Sequence, residues 1–164
     1  MEDYIFIGKI VNTHGIKGEL RILSNFKYKN KVFVQNRRIY IGECKDEEII
    51  VTYRKHKIFD MITMEGYNNI NDVLKFLNKD VYVKKNDIDL GDGEYLDEDL
   101  IDLSILLDNE NRGRVLAIKS FGSNKVIEVL IDGKVSLIPY HKDFIKNIDF
   151  INKTIEFSLI EGMI

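Results

Sequence analysis

Hydrophobic and polar residues alternate along much of the first half of the chain, which is the pattern of half-buried β-strands. Between residues 37 and 42, for example, Ile39 and Ile41 fall on the face opposite Arg38 and Tyr40. Segments of this kind recur at short intervals and are separated by turn residues. We therefore predict six strands in this half, over residues 4–11, 19–23, 37–42, 49–57, 58–65 and 80–83.

A single segment of the first half has helical rather than strand periodicity. Ile70, Val73, Leu74 and Leu77 repeat at the spacing i, i+3, i+4 and i+7, and the asparagines around them can cap a helix. Six strands and one short amphipathic helix in about 85 residues fit a small barrel.

The second half contains a similar series of short strands. We predict strands over residues 104–108, 114–121, 125–132, 135–140 and 154–159, and one helical turn over 141–148. Gly113, Gly122 and Gly133 are turn signals about ten residues apart, a spacing typical of antiparallel hairpins. Pro139 comes late in an apolar run and therefore indicates an edge strand or a strand end. This half predicts a second small barrel.

The segment 86–99 separates the two halves. It is acidic, contains two glycines and has little periodicity. Composition of this kind is typical of a short connection between domains. We therefore place the domains at residues 1–88 and 100–164, with an acidic interdomain linker at 89–99.

Composition supports this fold class and excludes several others. The chain has 25 Ile, 11 Val, 9 Phe and 8 Tyr but only one alanine, Ala117, so we predict an all-β protein with one or two short helices rather than a helix bundle. The lone Cys44 excludes an intramolecular disulfide and a cysteine-rich zinc site. An acidic start and the lack of a long apolar run argue against a signal peptide and a membrane span. We expect a cytoplasmic protein, a monomer, with no membrane partner.

The net charge of −3 conceals a difference between the halves. Residues 1–88 carry 16 Lys and Arg against 12 Asp and Glu, a net charge of +4, whereas residues 89–164 carry 8 against 15, a net charge of −7. Opposite signs in the two halves indicate two different binding surfaces.

The most unusual local sequence lies between residues 8 and 21. Its glycines allow tight turns or close approach, and its charged residues and histidine form a donor-rich rim. The members are Gly8, Lys9, His14, Gly15, Lys17, Gly18, Glu19 and Arg21. The segment either contacts a phosphate or a carboxylate-bearing partner, or it is a hairpin whose glycines serve turn geometry. Glu19 and Arg21 share a strand face, so we also expect an ion pair between them.

A second candidate is the basic sequence at residues 53–57, where a tyrosine lies among cationic side chains. Together with Arg37 and Arg38, the side chains of Arg54 and Lys55 are typical of an RNA-contacting surface. The alternative is an ordinary edge strand kept soluble by its charges.

Nothing in the sequence indicates an enzyme. The three histidines, His14, His56 and His141, lack metal-ligand spacing, and no nucleophile motif is present. Residues 97–99 are consecutive acids that face alternate directions if the segment is extended. We therefore predict no catalytic residue, no metal site and no cofactor.

Tyr95 and Leu96 form an aromatic–aliphatic pair in this acidic setting. Such a pair is either an anchor for a protein partner or a hydrophobic clip between the two domains.

Five segments in order along the chain resemble the RimM family of ribosome maturation factors, the 16S rRNA-processing proteins. They are GKIVNTHGIKGELRI at 8–22, INDVLKFLNKDVYV at 70–83, EYLDEDLIDLSILL at 94–107, LIPY at 137–140 and EGMI at 161–164. The resemblance implies an N-terminal six-stranded barrel like those of translation factors and a C-terminal PRC-type β-barrel. It also implies a non-catalytic assembly factor that binds protein nineteen of the small ribosomal subunit and immature 30S particles.

The family's linker tyrosines imply a partner-binding segment here at Tyr95, Leu96, Asp97, Glu98 and Asp99. Two positions depart from the family pattern, because Leu96 replaces the second tyrosine and Asp102 replaces a glycine. The motif residues and the possible rRNA-facing residues Arg37, Arg38, Arg54 and Lys55 complete the candidate sites. The alternative function is a stand-alone RNA-binding barrel that acts on rRNA or tRNA.

Overall fold

The computed structural model describes residues 3–121, 124–159 and 162 of the chain. By its internal contacts the chain divides into two compact units, Met1–Leu90 and Gly91–Ile164. Residues 91–99 of the predicted linker group with the second unit. No helix among the described residues has the length and apolarity that crossing a membrane requires.

The first unit is a closed barrel of six strands, as the alternation pattern predicted. They are β1 (Tyr4–His14), β2 (Glu19–Leu23), β3 (Arg38–Ile41), β4 (Asp46–His56), β5 (Phe59–Met64) and β6 (Asp80–Lys84). Their order around the barrel is β1-β2-β5-β4-β3-β6, and β6 closes it by pairing antiparallel with β1. Ile39 and Ile41 are fully buried, whereas Arg38 on the opposite face is exposed. Tyr40 shares that outer face but is 4% exposed, because neighbouring side chains cover it.

Two short helices accompany the barrel, α1 (Lys29–Val32) and α2 (Ile70–Val73). The Asn69 side chain caps α2 by accepting a hydrogen bond from the Asn71 backbone N–H at 2.9 Å. After Val73 the chain tightens into a 3₁₀ turn at Leu74–Phe76. A 3₁₀ helix has about three residues per turn instead of 3.6, so the side chains after Val73 point in other directions than an α-helix would give them. Phe76 is therefore buried and Leu74 exposed, and the predicted apolar face is wrong beyond Val73. The helix α1 is too short to produce a periodic signal.

The second unit is built on a six-stranded sheet. Its strands are β7 (Ser104–Leu107), β8 (Glu110–Phe121), β9 (Asn124–Ile131), β10 (Lys134–Pro139), β11 (Ile145–Asp149) and β12 (Thr154–Phe157). They follow the order β10-β9-β8-β7-β12-β11, in which β12 pairs parallel with β7. Pro139 is the last residue of β10 at the end of this order, where its missing N–H breaks no ladder; this confirms the prediction.

Two predictions for the second unit need correction. The helical turn predicted over 141–148 is confined to residues 141–144, because residues from Ile145 onward pair with β12. The turn between β7 and β8 is made by Asp108 and Asn109, both with positive φ (52° and 63°), and not by Gly113, which lies inside β8. Two consecutive residues with positive φ form the type I′ turn that suits the twist of a hairpin. The predicted turn signal Gly122 lies outside the described residues, as does all of the 161–164 segment except Gly162.

Each unit has its own hydrophobic core. In the second unit the core joins the sheet to the segment before β7, through Leu100 and Leu103. Fully buried members on the strands are Ile105, Val115, Ile127, Val129, Ile138 and Ile155. The inward face of the first barrel is formed by residues such as Ile7, Leu20, Ile22, Ile62, Val81 and Val83.

Candidate functional site

The glycine-containing motif forms the hairpin between β1 and β2. Gly18 has a φ of +90°, and a Cβ there would lie 2.9 Å from the Tyr67 carbonyl oxygen, so a side chain would be both strained and obstructed. Gly15 lies in the same turn, whereas Gly8 is buried inside β1. The turn-geometry interpretation therefore accounts for Gly15 and Gly18, whereas Gly8 serves close packing, since a Cβ there would lie 2.7 Å from the Ile22 side chain. Lys9 and Lys17 project into solvent.

The charged members of the motif meet the basic strand β4 in a side-chain cluster on the barrel. Arg54 donates two hydrogen bonds to Glu19, from Nε at 2.9 Å and from an Nη at 2.7 Å. Arg21 donates to Nδ1 of His14 at 2.8 Å, and the ring centroids of His14 and His56 are 5.6 Å apart. The predicted ion pair between Glu19 and Arg21 is wrong, since each side chain has a different partner.

This cluster covers the core and carries a positive charge. Met61 lies opposite both Arg21 and Arg54 in the strand registers and is fully buried. The hydrogen bond from Arg54 lowers the pKa of Glu19, which keeps it ionised at neutral pH. Desolvation and then the charge of Arg54 lower the pKa of His56, so its imidazole is mostly neutral at pH 7.

The four candidate RNA-facing residues do not form one surface. Arg37 is half-buried and donates to the backbone oxygens of Asp87 at 2.5 Å and Lys31 at 2.8 Å. Arg54 is held by Glu19. The side chains of Arg38 and Lys55 are exposed and make no hydrogen bond or ion pair within the described part of the chain.

Arg38 and Lys55 are also far apart. Arg38 lies opposite Ile49 on β4, and Lys55 lies six residues farther along that strand, a distance of about 20 Å at ordinary strand rise. The alternative function, a stand-alone RNA-binding barrel, was predicted from a basic surface that these four residues do not form.

The predicted partner-binding segment is folded into the second unit. Asp97–Leu100 is a 3₁₀ turn, so the condition of an extended segment, under which residues 97–99 face alternate directions, is not met. Leu96 is 4% exposed, and Asp99 accepts a hydrogen bond from its backbone N–H at 3.0 Å. Asp97 pairs with Lys125 at 2.5 Å, whereas Glu98 is exposed. Leu96, Asp97 and Asp99 therefore hold the segment in place.

Tyr95 opens onto a groove that the sequence did not reveal. Its ring lies 5.5 Å from the ring of Phe150, which follows β11, and the two tyrosine hydroxyls of Tyr140 and Tyr95 are 3.4 Å apart. Burial, followed by this hydrogen bond, raises the pKa of Tyr140. The adjoining cavity has a volume of about 460 Å³ and is lined by Glu94, Tyr95, Asp99, Ile101, Asp102 and Phe150 among others.

The groove combines exposed apolar side chains with a charged rim in which Glu94, Asp99 and Asp102 outnumber Lys153. Phe150 is 42% exposed, Ile101 is 40% exposed, and the neighbouring Ile151 is 93% exposed. The carboxylates of Glu94 and Asp102 border these side chains. We name this site, defined by Glu94, Tyr95, Ile101, Asp102 and Phe150, the acidic groove. The signal in the sequence for Phe150 is the apolar pair Phe150 and Ile151 in the otherwise polar turn after β11. Hydrophobic periodicity alone does not distinguish a turn with such a pair from an ordinary turn.

Asp102 has a φ of 69°, which lies in the left-handed region. The family that the sequence resembles has a glycine at this position. We expect Asp102→Gly to be more stable than Asp102→Ala by about 1 kcal/mol, because only the Cβ differs between them. Both variants lose the exposed Asp102–Arg114 ion pair, so the comparison isolates the backbone conformation. Urea unfolding of both variants measures this difference, and equal stability would show that the position carries no strain.

Among the residues that the structure describes, no three His, Cys, Asp or Glu side chains are grouped so that they could hold a metal ion. There are two candidate sites, the charged cluster on the first unit and the acidic groove on the second.

Comparison with known proteins identifies the family. Residues 5–88 match the family model described as the RimM N-terminal domain, and residues 97–163 match the RimM PRC barrel domain. The Ribosome maturation factor RimM of Staphylococcus haemolyticus is 40% identical over 164 residues, covering 96% of this chain and 97% of its own. That of Geobacillus thermodenitrificans is 37% identical over 171 residues, covering 100% and 98%.

A crystal structure of a 16S ribosomal RNA processing protein RimM from Pseudomonas aeruginosa covers 96% of this chain and 98% of its own, with 19% identity and a TM-score of 0.47. The assignment rests on the sequence matches, which extend over both units and include relatives more than 30% identical across nearly the full length. The chain therefore belongs to the RimM family of ribosome maturation factors.

Proposed function

We propose that this chain is a ribosome assembly factor that acts on the immature small subunit without catalysing a reaction. In this proposal it binds protein nineteen of the small subunit and thereby promotes maturation of the 30S head and processing of 16S rRNA. Membership of a family of ribosome maturation factors supports the role in assembly. The choice of partner and of site rests on the chemistry of the second unit.

The acidic groove is the observation that carries the proposal. Phe150 and Ile101 offer apolar area beside the half-buried Tyr95, which is the composition of an interface anchor. Residues 89–164 carry a net charge of −7, which attracts a basic partner and speeds its association. Ribosomal proteins that bind rRNA are basic, because they must neutralise phosphates. The groove thus has both an anchor and the right sign of charge.

The folded segment refines which of the predicted residues touch the partner. The buried Leu96 and the Asp97–Lys125 ion pair hold the segment that carries Tyr95, and Asp99 both accepts the Leu96 N–H and lines the groove. In this proposal Tyr95 and Phe150 contact the partner from the groove, and Glu98 contributes an exposed negative charge. Leu96 therefore contributes a core contact, which explains how leucine can stand where the family has tyrosine.

Such binding promotes assembly by mass action. A factor that binds the native arrangement of a protein and its rRNA site, and binds misfolded arrangements less well, stabilises the native one. No bond needs to form or break. The positive first unit can lie beside rRNA without the repulsion that a uniformly acidic protein would experience.

We expect Phe150→Ala to weaken binding of purified protein nineteen to the full chain by about 10- to 30-fold, as removal of an aromatic anchor does. Isothermal titration calorimetry measures this change. Glu98→Lys is expected to weaken binding several-fold at low salt and less at high salt, because an exposed charge is screened.

Phe121→Ala is the matched control, since Phe121 is a similarly exposed phenylalanine of the same unit outside the groove. An equal effect of the two substitutions would contradict the assignment of the groove. Failure of the unaltered chain to bind protein nineteen would contradict the choice of partner. In cells, loss of the chain should lead to accumulation of 30S precursors with unprocessed 16S rRNA, and F150A should fail to restore normal processing.

A further inference from the structure

We propose that the outer face of β1, β6 and β3 binds single-stranded RNA, with nucleobases stacked on its exposed rings. This aromatic face consists of the exposed Phe6, the half-buried Tyr4 and Tyr82, and the buried Tyr40, which packs beside them. It lies on the first unit and is separate from the acidic groove. The inference therefore goes beyond the proposed function, which needs only the second unit to bind a protein.

The strand registers place these rings on one side of the barrel wall. Phe6 lies opposite Tyr82, and Tyr82 lies opposite Tyr40, so the three residues form one row across β1, β6 and β3. The residues that alternate with them point into the barrel and are buried. These inward residues are Ile5, Ile7, Ile39, Ile41, Val81 and Val83.

The rings contact one another edge to face, and Phe6 is the ring most open to solvent, whereas Tyr4 and Tyr82 are half-buried and Tyr40 is buried. The Phe6 and Tyr82 centroids are 6.0 Å apart, and the Tyr4 and Tyr40 centroids are 5.2 Å apart. Phe6 is 50% exposed on the outside of the barrel, whereas the side chains that fill the interior in this region are aliphatic. A register shift between Phe6 and Gly8 marks a bulge, a feature that re-aims neighbouring side chains.

Cationic groups lie on the same face as the rings. The Lys45 Nζ is 4.1 Å from the Tyr82 ring centroid and 5.6 Å from that of Tyr4. The Lys84 Nζ is 5.0 Å from the Tyr40 centroid. Arg38, two residues before Tyr40 on β3, is exposed on this side. Ammonium and guanidinium groups near the open Phe6 ring can neutralise phosphates while that ring stacks on a base.

This combination favours single-stranded nucleic acid over a duplex or a protein. A duplex keeps its bases stacked on each other, so their faces are closed to Phe6. A purely protein-binding patch does not need lysines placed over its rings, and residues 1–88 carry a net charge of +4. The exposed Phe6 and the half-buried Tyr82 lie on adjacent strands about 5 Å apart, which accommodates one or two bases.

A polar cavity beside Tyr82 favours RNA over DNA. The cavity has a volume of about 420 Å³ and is lined in part by Asp46, Asn78, Lys79 and Asp80. Carboxylate and amide oxygens accept hydrogen bonds from ribose 2′-hydroxyls, which DNA lacks.

Fluorescence anisotropy with a labelled ten-nucleotide oligouridylate and the full chain tests the proposal. We expect Phe6→Ala to weaken binding about 5- to 100-fold, the range for loss of one stacked base. Phe6→Tyr, which retains a ring, should restore most of the affinity. Lys45→Gln and Lys84→Gln should each reduce the slope of log affinity against log salt by about 0.7. The deoxy oligonucleotide and an RNA hairpin duplex should bind more weakly.

Matched controls separate this face from other surfaces. Phe121→Ala removes an equally exposed phenylalanine from the second unit, and Lys55→Gln removes an exposed lysine elsewhere on the first unit. Neither should change RNA binding, and Phe6→Ala should leave both the thermal unfolding midpoint and the binding of protein nineteen unchanged.

Three results would overturn the proposal. The first is equal loss of RNA affinity in Phe6→Ala and Phe121→Ala. The second is equal affinity for the ribose and deoxyribose oligonucleotides. The third is a Phe6→Ala variant that binds RNA normally but no longer associates with 30S precursors, which would make the face a protein-docking surface. A failure of Phe150→Ala to affect binding of protein nineteen would instead concern only the acidic groove.

Discussion

Replacement of Lys29 by methionine is expected to lower the free energy of unfolding of the first unit by about 3 kcal/mol. Lys29 in α1 places its Nζ 2.9 Å from Oδ2 of Asp60, which is fully buried on β5. Tyr53 donates a hydrogen bond to the other carboxylate oxygen at 2.6 Å. Without the ammonium group, the barrel would hold a buried carboxylate with no countercharge. Removal of one partner of a buried ion pair costs about 3 to 5 kcal/mol. We expect the lower end of this range because the Lys29 side chain is 26% exposed, so water can replace its ammonium group in part.

Urea unfolding of the full chain, followed by hydrogen exchange at the β5 amides, measures the effect. The double variant K29M/D60N should recover most of the loss, because an amide leaves no uncompensated charge. Lys55→Met is the matched control, since Lys55 is exposed and has no partner within the described residues; we expect a change below about 0.5 kcal/mol. Equal effects of the two lysine substitutions would contradict a structural role for the pair.

The same network alters the chemistry of Tyr53. Burial and the hydrogen bond to Asp60 raise the pKa of Tyr53 to about 12. Its ring stacks on Phe33, which immediately follows α1, with 5.8 Å between centroids. Asp60 thus joins a strand of the barrel to the segment that covers it, which explains why a charged side chain is tolerated at a fully buried position.

Substitution of Gly113 by alanine is expected to lower the free energy of unfolding of the second unit by about 3 kcal/mol or more. A Cβ at this position would lie 1.7 Å from the Leu130 carbonyl oxygen and 3.1 Å from the Ile131 Cα. Both atoms belong to the backbone of β9, so no side chain can rotate away. The β8–β9 pairing must separate locally to admit the methyl group.

Gly133→Ala is the matched control for this prediction. Gly133 has a φ of +80°, but a Cβ there would have no neighbour within 4 Å, so only backbone strain of about 1 kcal/mol is expected. Guanidinium unfolding of the two variants compares them directly. If Gly133→Ala were as damaging as Gly113→Ala, the close approach of β9 would not be the cause.

Strand positions could be predicted from the sequence because alternation is a local property. All six strands of the first barrel appear where the pattern predicts them, within a few residues at each end. The sequence also shows the rings of the aromatic face, since tyrosine and phenylalanine alternate with isoleucine in β1 and with valine or isoleucine in β6 and β3. What it does not show is that these three strands are neighbours.

The candidate site was predicted less well, because the roles of its residues depend on contacts between distant segments. Glu19 pairs with Arg54, which is 35 residues away, rather than with the nearby Arg21. Arg37 donates a hydrogen bond to the backbone oxygen of Asp87, which is 50 residues away. Phe150 meets Tyr95 only because β11 returns beside the segment that precedes β7. Each of these contacts requires a long loop to close, and periodicity contains no information about which loops close together.

The sequence by itself determined the β class, the strand positions, the unequal charge of the two halves and the family of this protein. These properties depend on composition, on neighbouring residues or on the order of motifs. Only the tertiary structure decided that Leu96 is a core residue, that Arg54 is held by Glu19, and that the acidic groove and the aromatic face exist. The physical reason is that burial and pairing depend on which strands become neighbours, and strand order follows from packing of the whole unit.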